Sequence, residues 1–411
     1  MQAVDLYDSA TFERGMPHDY FTWLREHEPV HWQPPAQLNA NLADIMDAEQ
    51  RGYWALTRHR DIIEVSLDQE RFSSERGTVI TNDLNDERIA QLRLWMINQD
   101  APNHTKLRKL VNKGFTKRMI GNMEGHIQRL CCEIVDGIAL KGECDFVTSV
   151  ASELPLLVIA ELVGCPLEDR AKLFNWSNQM VGFEDPEFAN EARATDAMGE
   201  MFEYASRLAA KRRSDPRDDL TSVLVNAEID GERLDELGFN MFFMLLILAG
   251  NETTRNAISG GMLALSEHRD QWQKLLDDPA LLPTATEEIL RYVSPVISMR
   301  RTATRDTEIA GQRIRENDKV VMFYPSANRD ADAFENPDRF DVTREPNPHL
   351  AFGWGPHFCL GASLARGEIR GIFSELLSRF PDIEVCGPVR RMRSSTVNSI
   401  KSMPVRFTPE R

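Results

Sequence analysis

Cysteine is scarce in this chain, and basic residues are outnumbered. Six cysteines among 411 residues, with Cys131 and Cys132 adjacent, supply neither a disulfide framework nor the spaced ligand pairs of a zinc site. That usage points to a reducing compartment. Cys131, Cys132, Cys144, Cys165 and Cys386 read as small hydrophobes, which leaves Cys359 to be considered separately. Lysine and arginine total 48 against 64 aspartates and glutamates, a formal charge of −16. Nucleic acid is thereby excluded as a partner, because phosphate binding needs a basic face. Long apolar runs are missing as well. The longest near-continuous one, Met241 to Ala249, is about half the roughly 20 residues of a membrane-spanning helix. Asp5, Asp8, Glu13 and Asp19 stand where a secretory leader would be basic and then apolar. A cytoplasmic protein without a membrane anchor is the expectation. Repeats, low-complexity tracts and Gly/Ser linkers are absent too. With 42% hydrophobic and 27% charged residues, the chain is an ordinary globular sequence with material for a large core.

What is present is mostly helical periodicity. Apolar residues recur at helical spacing from Thr105 to about Leu290, predicting helices over 103–115, 119–139, 148–163, 189–213, 233–266 and 285–292. The 233–266 segment would be roughly 50 Å long if continuous. It is apolar nearly all round between Met241 and Ala249, so it should run through the core. Strand-like pieces are few: 53–57, a hairpin over 308–314, 319–324 and 403–407. The stretch 33–52 has no readable pattern. The expected architecture is mainly α with small β-sheets, with 1–411 forming a single domain.

The most informative segment is Phe352-Gly353-Trp354-Gly355-Pro356-His357-Phe358-Cys359-Leu360-Gly361. Two glycines two apart permit a tight turn that side chains would block. Cys359 then precedes a helix whose apolar positions Leu360, Leu364, Ile372, Phe373, Leu376 and Leu377 fit one face. A cysteine at a helix start has its thiolate favoured by free N–H groups, as a metal ligand or nucleophile requires. In the middle of the long core helix, Ala249-Gly250-Asn251-Glu252-Thr253-Thr254 sets a glycine, a carboxylate and two β-branched residues side by side. Each is unfavourable there, and together they mark a site or a kink with the threonines bonded back to the preceding turn.

The ten-residue string resembles the haem-binding loop of the cytochromes P-450, the haem-thiolate monooxygenases. The resemblance covers almost the whole chain, with further motifs in family order, and it implies the triangular-prism fold of that family. It makes Cys359 the axial ligand of haem b (iron protoporphyrin IX). Phe352, Gly353, Gly361 and Ala249 fall at haem-lining positions. His357, His104, Arg108 and Arg301 match residues that contact the propionates. Gly250 would leave room for dioxygen, while Glu252 and Thr253 match the acid–alcohol pair that delivers protons. Glu288 and Arg291 match a buried pair completed by a downstream arginine, assigned here to Arg339 in Asn336-Pro337-Asp338-Arg339-Phe340.

Between Thr105 and Arg118 stand Lys106, Arg108, Lys109, Lys113, Lys117 and Arg118 and no acid. Such a basic island on an acidic protein can steer an acidic partner. The resemblance implies a small ferredoxin, reduced by an NAD(P)H-dependent ferredoxin reductase. Lys109, Lys113 and Arg118 are the expected contacts, with Arg366 and Arg370 as neighbours. The substrate pocket is expected to draw on Trp95, Met96, Met180, Phe183, Met244, Leu245, Leu248, Val296, Ile297 and Val397. Their apolar character suits a hydrophobic substrate such as a terpenoid, sterol side chain, branched lipid or alkylaromatic. The expected reaction is hydroxylation with O2 and two electrons from that separate partner. Two alternatives are a peroxide-using or electron-independent haem-thiolate enzyme and a non-catalytic haem sensor.

Overall fold

Asp235 opens the longest helix, Glu236–Glu267, by accepting a hydrogen bond from the Gly238 N–H at 2.7 Å. This is the N-cap role that short acidic side chains fill. At 1.5 Å per residue its 32 residues make a rod of about 48 Å. It packs against the helices Glu153–Leu162, Glu191–Ser214, Leu282–Val293 and Ala362–Arg379. A Cβ at Gly260 would stand 2.5 Å from Val293 Cγ1, so the absence of one brings Leu282–Val293 close to the core helix. The computed structural model describes residues 2–35, 46–47, 49–112, 115, 117–181, 184–188, 191–229 and 232–411.

The β portion is dominated by one sheet of five strands. Their order is Val30–Gln33, Tyr53–Leu56, Lys319–Phe323, Ser298–Ala303 and Phe72–Ser73. Tyr53–Leu56 and Lys319–Phe323 pair in parallel, and the other neighbours are antiparallel. Along Lys319–Phe323, Val320 and Met322 join one apolar cluster while Val321 and Phe323 join another on the opposite face, the period of two that a sheet buried on both sides requires. Helices and strands fall where the periodicity places them to within a few residues, and the architecture is mainly α with small sheets. Ser298–Ala303 was not anticipated as a strand, because it is buried at both faces and its Arg300 and Arg301 hide the apolar pattern. Of the unassigned stretch 33–52, residues 36–45 and 48 lie outside the described residues. Among the described residues no helix is long and apolar enough to cross a membrane.

A buried charge cluster fastens the sheet to the segment above it. Asp83 accepts from Lys319 Nζ at 2.7 Å and from Arg300 Nη1 at 3.1 Å, and all three side chains are within 5% of complete burial. Arg51, at 3.1 Å, closes the cluster from its exposed side. Burial raises the Asp83 carboxyl, but the attraction of Lys319 and Arg300 outweighs it and holds the group below its ordinary value. Asp83→Ala would leave two buried cations without a counter-charge, at a cost of about 3–5 kcal/mol. The thermal midpoint is expected to fall by about 4–6 °C; an unmoved midpoint would mean that the cluster contributes no net stability.

Candidate active site

The 352–361 string forms a tight loop ahead of Ala362–Arg379. Gly353 (φ +68°) and Gly355 (φ +71°) both occupy the left-handed region, where glycine alone is free of penalty. A Cβ on Gly355 would also stand 2.7 Å from the Ser66 carbonyl oxygen, so the loop is pressed onto the end of the helix His59–Leu67. Gly353 N–H donates to the Leu350 carbonyl at 2.9 Å, Phe358 N–H to Gly355 at 3.0 Å, and Cys359 N–H to Phe352 at 2.9 Å. Burial pushes the Cys359 thiol up; the Gly361 N–H and the guanidiniums of Arg108 and Arg366 pull it down by less. Burial therefore outweighs the helix-start stabilisation expected for the thiolate, and the helix itself begins only at Ala362. A coordinated metal ion is what ionises such a thiol outright.

Four basic side chains gather beside the loop. The His104 and His357 rings lie 4.1 Å apart. Burial, then Arg301, His104 and Arg108, hold His357 down at about 2. Burial and Arg108 likewise lower His104. Arg301 is buried and donates to the Arg300 carbonyl at 2.8 Å. Among the described residues no carboxylate forms an ion pair with His104, Arg108, Arg301 or His357. With both lowered, the two imidazoles are neutral, but Arg108 and Arg301 stay charged. Buried cations are costly without counter-charges, and a ligand with two carboxylates would supply them. A Cβ on Gly361 would meet nothing within 4 Å, which leaves a cradle beside the cysteine. The residues present fit haem.

The core helix is buried on most sides, yet Leu245, Leu248, Ala249 and Thr253 keep accessible surface, Ala249 most of all. Their spacing places them on one face, so a void lies against the middle of the helix. Thr253 stands on that face and its Oγ1 donates to the Ala249 carbonyl at 2.7 Å. Glu252, one residue round the helix, is 2% exposed and paired with Arg255, while its Oε1 has no partner. Burial raises its carboxyl and Arg255 opposes the rise. Gly250 has a packing role as well. A Cβ there would stand 3.2 Å from Ile159 Cδ1, so its small size also serves the packing of Glu153–Leu162 on the core helix.

The buried pair is present with a different third member. Arg291 Nε and Nη2 bond both oxygens of Glu288 at 2.7 and 2.8 Å, with neither side chain exposed at all. The second guanidinium belongs to Arg344, whose Nε reaches Glu288 at 3.0 Å. Arg339 contributes only its carbonyl, to Arg291 at 3.0 Å, and its side chain is 60% exposed. The turn that points the Arg339 carbonyl inward sends its side chain out, and the chain returns at Arg344. Asn347 and the Asp341 N–H complete the shell at 3.2 and 2.8 Å. Next door, Glu287 accepts from Arg366 at 2.7 Å and contacts His349 at 3.1 Å, and Arg366 covers the Phe352 ring at 4.5 Å. Arg344, Asn347 and His349 carry no sequence signal of their own; they are visible only once the chain returns on Leu282–Val293, and Glu287 on that helix only through the partners it then meets.

Trp95, Met180, Leu245, Leu248 and Val296 are half-buried, as a cavity wall requires, and Val296 bridges Val397. Met96 keeps 7% of its surface and Val397 9%. Met244 and Ile297 are fully buried and are not cavity residues. Met244 faces the helical core, and Ile297, adjacent to Val296 in extended backbone, points to the opposite side and packs with Phe21 and Tyr53. Phe183 lies outside the described residues. Of the basic island, Lys109 is exposed, Lys113 lies outside the described residues, and the Arg118 side chain does too. Arg366 is committed to Glu287, whereas Arg370 is half-buried with no ion pair among the described residues.

Comparison with known proteins agrees with this geometry. Residues 186–396 match the family model described as Cytochrome P-450. The chain is 44% identical to the steroid C26-monooxygenase of Rhodococcus jostii over 99% of its own length and 85% of the relative's. It is 40% identical to the methyl-branched lipid omega-hydroxylase of Mycobacterium tuberculosis, over 94% of this chain and 90% of that one. A solved structure of a Mycobacterium marinum cytochrome P-450 in complex with pseudoionone superposes with a TM-score of 0.90 at 40% identity, covering 99% of this chain and 100% of that one.

Two measurements check the brace. Arg344→Ala leaves Glu288 short of one cation and is expected to cost about 3–5 kcal/mol and most of the bound haem; Arg339→Ala is expected to cost less than about 1 kcal/mol. Haem content and thermal melts of the two variants decide, and the reverse ranking would restore Arg339. The second concerns acid. Burial raises the Glu287 carboxyl, but the hydrogen bonds from His349 and Arg366 prevail and hold it at about 2. Because its folded value is depressed, its stabilisation is present above the ordinary glutamate value and lost as pH falls toward 2. Glu287→Gln should flatten the loss of stability between about pH 4.5 and 2, read by melting at stepped pH.

Proposed function

The chain belongs to the cytochrome P-450 family and is a haem-thiolate monooxygenase; on that premise we propose that it hydroxylates the end of a methyl-branched apolar chain, of sterol side-chain or isoprenoid type. The observation that carries this reading is the open stripe on the core helix. Leu245, Leu248 and Ala249 present only hydrocarbon, and Thr253 alone adds a hydroxyl. An apolar wall with one polar point accepts a hydrocarbon end without orienting it through charge. The names of the relatives, a steroid C26-monooxygenase and a methyl-branched lipid omega-hydroxylase, support the same class.

In this reading Cys359 would hold the haem iron through its sulfur. The Gly361 N–H donates to its sulfur, and Arg108 and Arg366 add positive potential that favours the thiolate. His104, Arg108, Arg301 and His357 would hold the propionates. When bound, haem supplies the activation of dioxygen and insertion of one oxygen atom into a C–H bond. Thr253 Oγ1, whose own proton is held by the Ala249 carbonyl at 2.7 Å, offers an acceptor lone pair at the open face, and Glu252, buried one residue away, stores and returns a proton. The leucine and alanine surface excludes water that would otherwise divert that proton.

The electrons come from a small acidic ferredoxin with its NAD(P)H-dependent reductase. Support for this is the charge contrast between the helix Asn103–Asn112, which carries Lys106, Arg108 and Lys109, and a chain of net charge −16. Charge reversal at Lys109 is expected to raise the KM for the ferredoxin severalfold and to weaken its salt dependence; unchanged values would remove this face from the docking site. The substrate class is tested by titrating ferric protein with branched sterols and isoprenoids, straight-chain fatty acids and alkylaromatics. A low- to high-spin Soret shift is expected with the branched compounds, and a shift confined to the others would refute the assignment. Product formed with peroxide in place of NAD(P)H, ferredoxin and reductase would favour the peroxide-using alternative.

A further inference from the structure

Glu252 does not stand alone in its buried site. Arg255, one helical turn on, pairs with its carboxylate, and the same guanidinium nitrogen donates to Ser399 Oγ at 3.2 Å. Glu252, Arg255 and Ser399 are 2%, 5% and 2% exposed. Ser399 comes from another part of the chain, the C-terminal hairpin formed by Arg390–Arg391 and Ile400–Ser402. That hairpin also carries Val397, which bridges Val296 at the expected substrate wall. It is fixed in turn from the segment after Arg170–Val181: Glu184 accepts from Ser395 Oγ at 2.8 Å, and Asp185 accepts from Lys401 Nζ and from the Arg393 N–H, each at 2.9 Å.

We propose that Arg255 is a positioning residue for Glu252 and that Ser399 positions Arg255, so that the hairpin at the substrate wall sets where the relay carboxylate sits and how firmly it holds its proton. The inference rests on the proton-relay reading of Glu252. A carboxylate with one oxygen on Arg255 and the other without a partner has two uses: the paired oxygen fixes its direction, and the free one is the atom available for proton exchange. Among the described residues Arg255 is the one charged group that acts on it. The ion pair is intrahelical, so the core helix fixes its spacing; Ser399 is a contact that reaches the same guanidinium nitrogen from outside the helix. Displacement of the hairpin therefore acts on Arg255 at the nitrogen that holds Glu252, and on Glu252 through it.

The test reads the proton on Glu252 directly, in ferric haem-loaded protein with neither substrate nor redox partner, so it is independent of the substrate assignment. The infrared band of protonated Glu252 is identified as the carboxyl band that disappears in Glu252→Gln, and it is titrated with pH. Removing the cation in Arg255→Gln is expected to move the band's midpoint up by about one pH unit or more. Arg255→Lys, which keeps the charge, should move it less, and Ser399→Ala should shift it upward by an intermediate amount. Soret absorbance and melting verify that each variant is folded and loaded; the mild Ser399→Ala keeps the test open if Arg255→Gln does not fold. An unmoved midpoint in Arg255→Gln overturns the proposal. A shift there with none in Ser399→Ala overturns the role of the hairpin.

Discussion

Glu288 is a carboxylate with no exposure to solvent, and the loop that presents Cys359 is organised around keeping it satisfied. Two guanidiniums, an amide and a backbone N–H converge on its two oxygens. Arg291 spends its remaining donors on the carbonyls of Asn328, Pro337 and Arg339. A buried ion pair is a poor source of stability compared with apolar packing, but breaking one is severe. Such a network penalises every arrangement of the 328–347 segment except the one that completes it. The adjacent Glu287 extends the constraint to Arg366 and His349, and through Arg366 to Phe352 at the base of the cysteine loop. Two neighbouring glutamates on one helix thus brace the loop from both sides.

The catalytic region separates its polar and apolar duties by rotation about one helix axis. Leu245, Leu248, Ala249 and Thr253 share the open face, while Glu252 is turned into the protein beside Arg255. Successive residues of an α-helix point about 100° apart, so an acid next to an alcohol cannot occupy the same face. This permits a titratable group close to a hydrocarbon site without exposing a charge to the substrate. It also explains why the acid needs its own support: burial alone would neutralise it, and Arg255 opposes that. On the other side of the fold, Asp83 performs a similar service for Lys319 and Arg300, fastening the segment that bears Met96 and Trp95 to the sheet.

Much of this was legible in the residues. Helical periodicity placed the long core helix to within a few residues, because an apolar surface on all sides has only one environment. Glycines at 353 and 355 read correctly as a tight turn, since both adopt positive φ. The errors have definite causes. Arg339 and Arg344 are both arginines in a polar stretch, and which of them reaches Glu288 depends on how a turn directs one carbonyl. The packing of Gly250 on Ile159 was not legible either, because the partner comes from a distant helix. Met244 and Ile297 have the chemistry of cavity residues and differ from Leu245 and Val296 only in the side to which the backbone turns them.

By itself the sequence determined the family, the mainly helical architecture and the chemical types at the centre: a cysteine after a glycine turn, an acid–alcohol pair and a set of basic residues. These are local properties, set by spacing and by side-chain chemistry. Tertiary structure alone decided the pairings between distant segments, such as Arg344 with Glu288, Arg366 with Glu287 and Ser399 with Arg255. A buried charge takes whichever partner the returning chain delivers within about 3 Å, and no periodicity in one strand or helix records where another will cross it.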